Sequence, residues 1–332
     1  MIKTYLISTP YHLLISIIKT ILANRIAQDE LIIIDKRFIQ HHFLQNAHTI
    51  FKKITIINQH PTVSYLHILL WRNRISRRIP FLYNMLKKYT TIDEAYFKNK
   101  EVYMFYDLTY LACLLNVSKI EYNLIEDGLN QFQQSSNSDT RRRSSFSFLW
   151  DSILGVSWKA FGQSKLNKSI EVNDGKNLHI KHPNIIVANR AKFFRSLTQE
   201  NIDMIAKIFD YQPIGYQISE ESTLLLTQPL VEDKLLSQSK KNALYKYLVK
   251  KYAIGKLYIK VHPREKEDYT KIFPNAVILG NRNIPFELLL LKENFHFKRA
   301  ITAFSTAIDA VFCADEKINM GQEWTLNFQE ND

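Results

Sequence analysis

The chain is poor in cysteine, glycine and proline, with two, eight and nine of them in 332 residues. Two cysteines cannot build a disulfide scaffold. Cys113 and Cys313 both lie in apolar stretches (LACLLN and AVFCAD), as buried free thiols in a reducing compartment would. With apolar residues at 46%, charged residues at 23% and aromatics at 12%, the composition excludes a disordered, collagen-like or low-complexity protein. Also missing is an uncharged apolar run near the roughly 18 residues that a membrane span needs. The N-terminal MIKTYLISTPYHLLISIIKTILANR is apolar, but Pro10, His12 and Lys19 interrupt it and no small-residue cleavage site follows. It reads as a strand running into a helix, not as a signal peptide, and a cytoplasmic location is expected. There is no internal repeat, no D-x-D motif and no Cys/His ligand cluster, so the sequence offers no recognisable ligand set for a metal or cofactor.

Acidic residues are in deficit. Lys plus Arg number 44 against 32 Asp plus Glu, a net charge of +12. Such an excess favours an anionic partner: nucleic acid, an anionic membrane or a phosphorylated substrate. The densest cluster is Trp71, Arg72, Arg74, Arg77 and Arg78, then Lys87 and Lys88, preceded by YLHILLW. Basic residues beside aromatics and leucines suit a membrane-surface patch, and a solvated helix face is the plainer reading. Arg141, Arg142 and Arg143 sit in a Ser-rich stretch that reads as a loop. No RNP-like, helix-turn-helix or zinc signature accompanies the charge, so nucleic acid is not the expected partner.

At roughly 150 residues per domain the length gives about two domains. Short β-branched runs at Thr4–Ser8, Leu31–Ile34, Ile54–Ile57, Val102–Tyr106 and Glu121–Ile125 alternate with helical patterns at Tyr11–Asn24, Phe38–Phe51, 62–89 and Leu108–Leu115. That is the rhythm of a parallel sheet covered on both faces. Residues 129–180 break it and read as an irregular insertion with the domain crossover. The alternation resumes with strands at Ile185–Ala188, Thr223–Thr227, Leu257–Val261, Ala276–Leu279 and Ala300–Ala303. Helices are expected at Thr198–Phe209, Lys240–Tyr252, Pro285–Leu291 and Thr306–Phe312. The fold class is therefore α/β, with two Rossmann-like domains, 1–180 and 181–332, facing a cleft. In such sheets ligands bind beyond the carboxyl ends of the strands, so chemistry is sought there.

The first strand ends in Ser8-Thr9-Pro10-Tyr11-His12, where Thr9 is a helix N-cap or, with His12, a substrate-facing group. The fifth ends in Glu126-Asp127-Gly128. Adjacent side chains on an extended chain point opposite ways, so one carboxylate faces the cleft, where it can act as a general base. Gly128 permits a tight turn or a close backbone approach. Thr227-Gln228-Pro229 ends the candidate strand at Thr223–Thr227. Glu232 and Asp233 follow, either as acids at a helix start or as a second candidate base. Lys260 and Val261 run into His262-Pro263-Arg264. Pro263 fixes the turn and the flanking cations make His262 a phosphate-binding candidate. Glu287 lies in the first turn of a helix opened by Pro285, where it favours the dipole or chelates a ribose diol. Ser305 and Thr306 open the last helical pattern, where hydroxyls and helix amides can hold an anion.

The order EDG, HPRE, PFE and a Ser-Thr pair, with STPYHLLIS at the start, resembles the bacterial sialyltransferases of glycosyltransferase family 52, over residues 4–311. The resemblance implies a glycosyltransferase-B fold and CMP-sialic acid as the donor, with no metal. The acceptor it implies is a galactose-terminated glycan of a lipooligosaccharide or capsule; between α2,3 and α2,6, an α2,3 linkage is expected. It makes Asp127 the general base with Glu126 and Gly128 beside it. His262 and Pro263 then contact or protonate the CMP phosphate, Glu287 holds the ribose hydroxyls, and Ser305 and Thr306, with Gln228, complete the donor site. Glu232 and Asp233 stand as alternative bases, because in family 52 the base can come from elsewhere than the EDG motif. Thr9 and His12 stand on the acceptor side. Some members transfer other sugars, so a glucosyl-type donor remains a rival. The basic surface is then expected to dock at the inner face of the plasma membrane, where a lipid-linked acceptor resides, and the 129–180 insertion can pack a homodimer.

Overall fold

The computed structural model describes residues 1–34, 39–57, 91–107, 109–127, 162–176, 178–215, 217–293, 295–305, 307–310 and 313–329. The chain divides into two compact units, Met1–Asn201 and Ile202–Asp332. The basic clusters at 71–88 and 141–143, Gly128 and Thr306 lie outside the described residues.

The first unit is built on a seven-stranded parallel sheet: β1 (Ile2–Ile7), β2 (Glu30–Ile33), β3 (Lys53–Ile56), β4 (Lys100–Met104), β5 (Tyr122–Ile125), β6 (Asn167–Val172) and β7 (Ile185–Val187). Their order across the sheet is β3-β2-β1-β4-β5-β6-β7. The central strands are buried along their length, which is why they read as continuous apolar runs without alternation. Helix α1 (Pro10–Leu22) follows β1 directly. It starts where it does because the Thr9 hydroxyl accepts the His12 N–H at 3.1 Å and Pro10 supplies a preset φ at the first helical position. Leu6, Ile32, Met104, Leu111, Leu124 and Ile170 pack as one core, with α2 (His41–Ala47) and α3 (Tyr110–Val117) completing the described helices between strands.

The second unit carries a five-stranded parallel sheet of β8 (Ser222–Leu226), β9 (Lys256–Lys260), β10 (Val277–Ile278), β11 (Phe297–Thr302) and β12 (Ala314–Asn319). Its order is β10-β9-β8-β11-β12. After α4 (Arg190–Arg195) and α5 (Gln199–Ile208), the helices are α6 (Gln238–Tyr252), α7 (Tyr269–Ile272), α8 (Phe286–Lys292), α9 (Ala307–Ala310) and α10 (Gln322–Asn327). Leu225, Leu244, Tyr245, Ile259, Tyr269, Ile301 and Phe328 form the core against α6. Gly255 makes the turn from α6 to β9 at φ +58°, where a Cβ would lie 2.1 Å from the Glu221 carbonyl oxygen.

Four expectations shift. The strand Ile185–Val187 belongs to the first sheet as its edge strand, so the first unit runs to Asn201 and does not end at 180. Within the stretch read as irregular, Asn167–Val172 is a strand. Its polar residues hid it: Asn167, Ser169 and Glu171 are buried with hydrogen-bond partners, so NKSIEV lacks an apolar signature. The edge strand β12 was missed because it is mostly exposed and polar. Most strands also start a residue or two before the apolar runs do, since ladder pairing includes polar residues such as Lys100, Ser222 and Lys256.

Candidate active site

In the first unit, the polar groups beyond β1 and β5 meet. His12, 1% exposed, places Nε2 2.6 Å from Asp127 Oδ1. On the other side of the ring, Nδ1 is 3.2 Å from the Ser8 N–H and 3.3 Å from Ser8 Oγ. The imidazole lies flat on Phe105, 4.2 Å away and 7° from parallel, at the end of β4. Because β4 lies between β1 and β5, the His12–Asp127 bond bridges strands that are not neighbours. Asp127 is 38% exposed in its side chain, whereas Glu126 is 1% exposed and accepts the Asn173 N–H at 2.6 Å. The alternation of an extended chain thus turns one carboxylate outward, and the other ties β5 to the end of β6. Thr9 serves as the α1 cap.

Next to this edge lies a charge cluster that the sequence did not disclose. Glu171, on β6, binds Arg190 Nη1 at 2.6 Å and also Lys19, from α1. Burial pushes the Glu171 pKa up, but the two cations and their hydrogen bonds outweigh it and hold the carboxyl below its usual range. Burial, opposed by Glu171, pulls Lys19 down.

In the second unit, the turn after β9 is held from beneath by Glu265, itself 1% exposed. The His262 main-chain N–H is shared between Thr227 Oγ1 at 3.1 Å and Glu265 Oε2 at 3.2 Å. The Thr227 hydroxyl donates to the same carboxylate, Tyr269 donates to it at 2.6 Å, and buried Lys241 lies 3.4 Å away. Burial still raises the Glu265 pKa. The Arg264 N–H donates to His262 Nδ1 at 3.2 Å, which leaves the ring proton on Nε2. Burial, with the charges of Arg264 and Lys260 behind it, holds the His262 pKa down to about 3. His262 is therefore a neutral hydrogen-bond donor near pH 7, and a phosphate bound to it would be needed to draw a second proton on.

The remaining expected residues fall around this turn. Gln228 bridges strand ends: its N–H donates to the Tyr245 hydroxyl and its Oε1 accepts the Phe304 N–H, both at 2.8 Å. Glu232 and Asp233 lie in a hydrogen-bonded turn, not at a helix start. Glu232 accepts the Lys266 N–H at 3.0 Å and Asp233 pairs with Arg264. Pro263 is exposed at the tip. Ser305 Oγ accepts the Ala307 N–H at 3.2 Å at the start of one-turn α9, so a local backbone bond engages this hydroxyl. Glu287 is 8% exposed, and burial raises its pKa against the pull of Lys260. Lys260 is itself pushed down to about 8 by burial, with Glu287 opposing and Arg282 adding to the shift. Among the described residues no three His, Cys, Asp or Glu side chains gather to hold a metal.

Sequence reasoning missed Glu265, Lys241 and Tyr269. The glutamate sits in the run REKED, which has the look of a solvated charged loop, and only the fold shows it to be buried. Cys313, expected as a buried thiol, is half-buried, and burial raises its pKa to about 11. The Cys113 side chain lies outside the described set.

Two parallel α/β units with polar side chains gathered beyond the strand ends define the glycosyltransferase-B class. A sialyltransferase from Photobacterium damsela matches at a TM-score of 0.51 and 12% identity, covering 100% of this chain and 80% of that one. At that identity the likeness is one of fold. The model of glycosyltransferase family 52 matches residues 38–319. An uncharacterized protein of Haemophilus influenzae Rd is 31% identical over 242 residues, 72% of either chain. The chain belongs to glycosyltransferase family 52.

Proposed function

We propose that this glycosyltransferase is an inverting sialyltransferase. It moves sialic acid from CMP-sialic acid to a galactose hydroxyl of a bacterial surface glycan, in an α2,3 linkage. The observation that carries the reading is Asp127: an exposed carboxylate at the end of a central strand, bonded to a buried histidine whose proton position is fixed. That is how a base toward a hydroxyl is held. As the C2–O bond to CMP breaks, negative charge grows on the phosphate and positive charge on the sugar ring. The His262 Nε2–H donates to that phosphate, with Lys260 and Arg264 lending positive potential. The acceptor oxygen forms its bond to C2 from the opposite face and gives its proton to Asp127, so the anomeric centre inverts.

Glu287 holds the ribose hydroxyls, while Gln228, Pro263, Ser305 and Thr306 shape the phosphate end. Glu126 supports the Asp127 turn, and Glu232 and Asp233 shape the His262 turn. Among the described residues no helix is long and apolar enough to cross a membrane. With a net charge of +12, peripheral docking on anionic lipid at the inner face of the plasma membrane fits a lipid-linked acceptor. The test is incubation with CMP-sialic acid or UDP-glucose and a panel of galactosides, read by mass spectrometry. A sialylated galactoside formed by the wild type and lost in Asp127→Asn supports the reading. Transfer from UDP-glucose alone replaces it with a glucosyl donor, and undiminished transfer by Asp127→Asn removes Asp127 as the base.

A further inference from the structure

We propose that His12 is a positioning residue for the Asp127 carboxylate, locked into the competent tautomer by the Ser8 main chain. The proposal deepens the reading of Asp127 as the base and rests on it.

The tautomer follows from one donor that has no choice. A peptide N–H only donates, so His12 Nδ1, 3.2 Å from the Ser8 N–H, must accept. The proton of the neutral ring then sits on Nε2, which donates to Asp127 Oδ1 at 2.6 Å. Nothing allows the ring to turn. Both nitrogens are engaged, Phe105 covers one face at 4.2 Å, and the residue is 1% exposed. Asp127 is the opposite case. It stands past the end of β5 with its side chain 38% exposed. A short bond from an immobile donor helps to fix its rotamer before the acceptor arrives, which lowers the ordering cost of the reactive geometry.

The reach explains the sequence around it. The bond crosses β4, so it spans two strand spacings, roughly 10 Å. A side chain on β1 itself does not run along the sheet edge that far. A ring on the first turn of α1 does, provided that the helix starts immediately after the strand. Ser8 supplies the N–H, Thr9 the cap, Pro10 the first helical φ and His12 the donor. STPYH is thus one device, in which capping and the site are the same structure. In the reaction no proton passes to His12. Asp127 takes the acceptor proton, and the Nε2–H stays where it is.

The test compares His12→Gln, whose amide N–H can reach the Nε2 position, with His12→Met, which fills similar space without a donor. Two quantities are read with CMP-sialic acid: the kcat of transfer to a galactoside, and the donor KM. His12→Met is expected to lose about 10²-fold in the kcat of transfer, the scale of a misplaced reacting group. Its donor KM should stay within about threefold. His12→Gln is expected to recover most of the lost transfer. Equal transfer by the two variants, or a loss in His12→Met carried by the donor KM and not by kcat, overturns the proposal. Asp127→Ala, measured alongside, separates the premise from the inference: full transfer by that variant removes the base assignment itself, whatever His12 does.

Discussion

Glu265 lies beneath His262 and accepts its main-chain N–H at 3.2 Å, while the other oxygen of the same carboxylate takes the Tyr269 hydroxyl at 2.6 Å. One buried side chain thus sets the turn that presents the imidazole. Lys241, with its side chain 1% exposed, is 3.4 Å from this carboxylate. Removing one partner of such a pair leaves an uncompensated buried charge and costs about 3–5 kcal/mol. Glu265→Ala is expected to lose stability on that scale in urea unfolding. Glu265→Gln, which keeps an acceptor for the His262 N–H, should lose less and bind CMP more tightly than Glu265→Ala does.

The depressed His262 pKa makes stability depend on pH in a defined window. The folded value is about 3, below the ordinary 6.5, so between these pH values the unfolded chain binds the extra proton. Stability therefore rises with pH across the window, and the contribution is lost as pH falls from about 6.5 toward 3. Urea unfolding at pH 6.5 and pH 5 should show a loss of up to about 2 kcal/mol in the wild type beyond that of His262→Gln, at 1.36 kcal/mol per pH unit. Equal losses in the two proteins would refute the neutral, partly buried imidazole.

Glu171 bridges Lys19 and Arg190. Glu171→Ala leaves both cations confronting one another near the end of β6. A loss of about 3–5 kcal/mol is expected. Glu171→Gln should fall in between, because its amide oxygen still accepts one hydrogen bond. Thermal and urea unfolding check the order wild type, Gln, Ala.

Gln228 accepts the Phe304 N–H and so ties the end of β8 to the loop that leads to Ser305. Gln228→Ala frees that loop at the cost of one hydrogen bond, about 1 kcal/mol of stability. CMP affinity should fall severalfold, as measured by titration calorimetry. Gln228→Glu keeps the acceptor but brings a negative charge toward the phosphate end, and should weaken CMP binding further.

The parallel α/β architecture was legible because its cause is local. Strands buried on both faces must be apolar, and the alternation of such runs with capped helices is written in the chain, as STPYH at α1 shows. The positions of the candidate residues relative to the strands followed as well, since the parallel strands of a sheet all end at one edge: His12 and Asp127 lie past strands of the first sheet, and Gln228, His262 and Ser305 past strands of the second. Polar strands escaped notice. Glu171 and Asn167 are tolerated inside the first sheet only because Arg190, Lys19 and the Gly162 carbonyl meet them there, partners distant in sequence from the strand or hidden in a loop.

Residue types and their intervals determined on their own that two carboxylates, two histidines and a Ser-Thr pair would follow strands. Tertiary structure decided which of them face outward, which are held and by what. It turned Glu126 inward, joined His12 to Asp127 across 115 positions of chain, and buried Glu265 under the His262 turn. The physical reason is that a hydrogen bond or a desolvated charge depends on distance and solvent in space, and neither is encoded in the order of residues along the backbone.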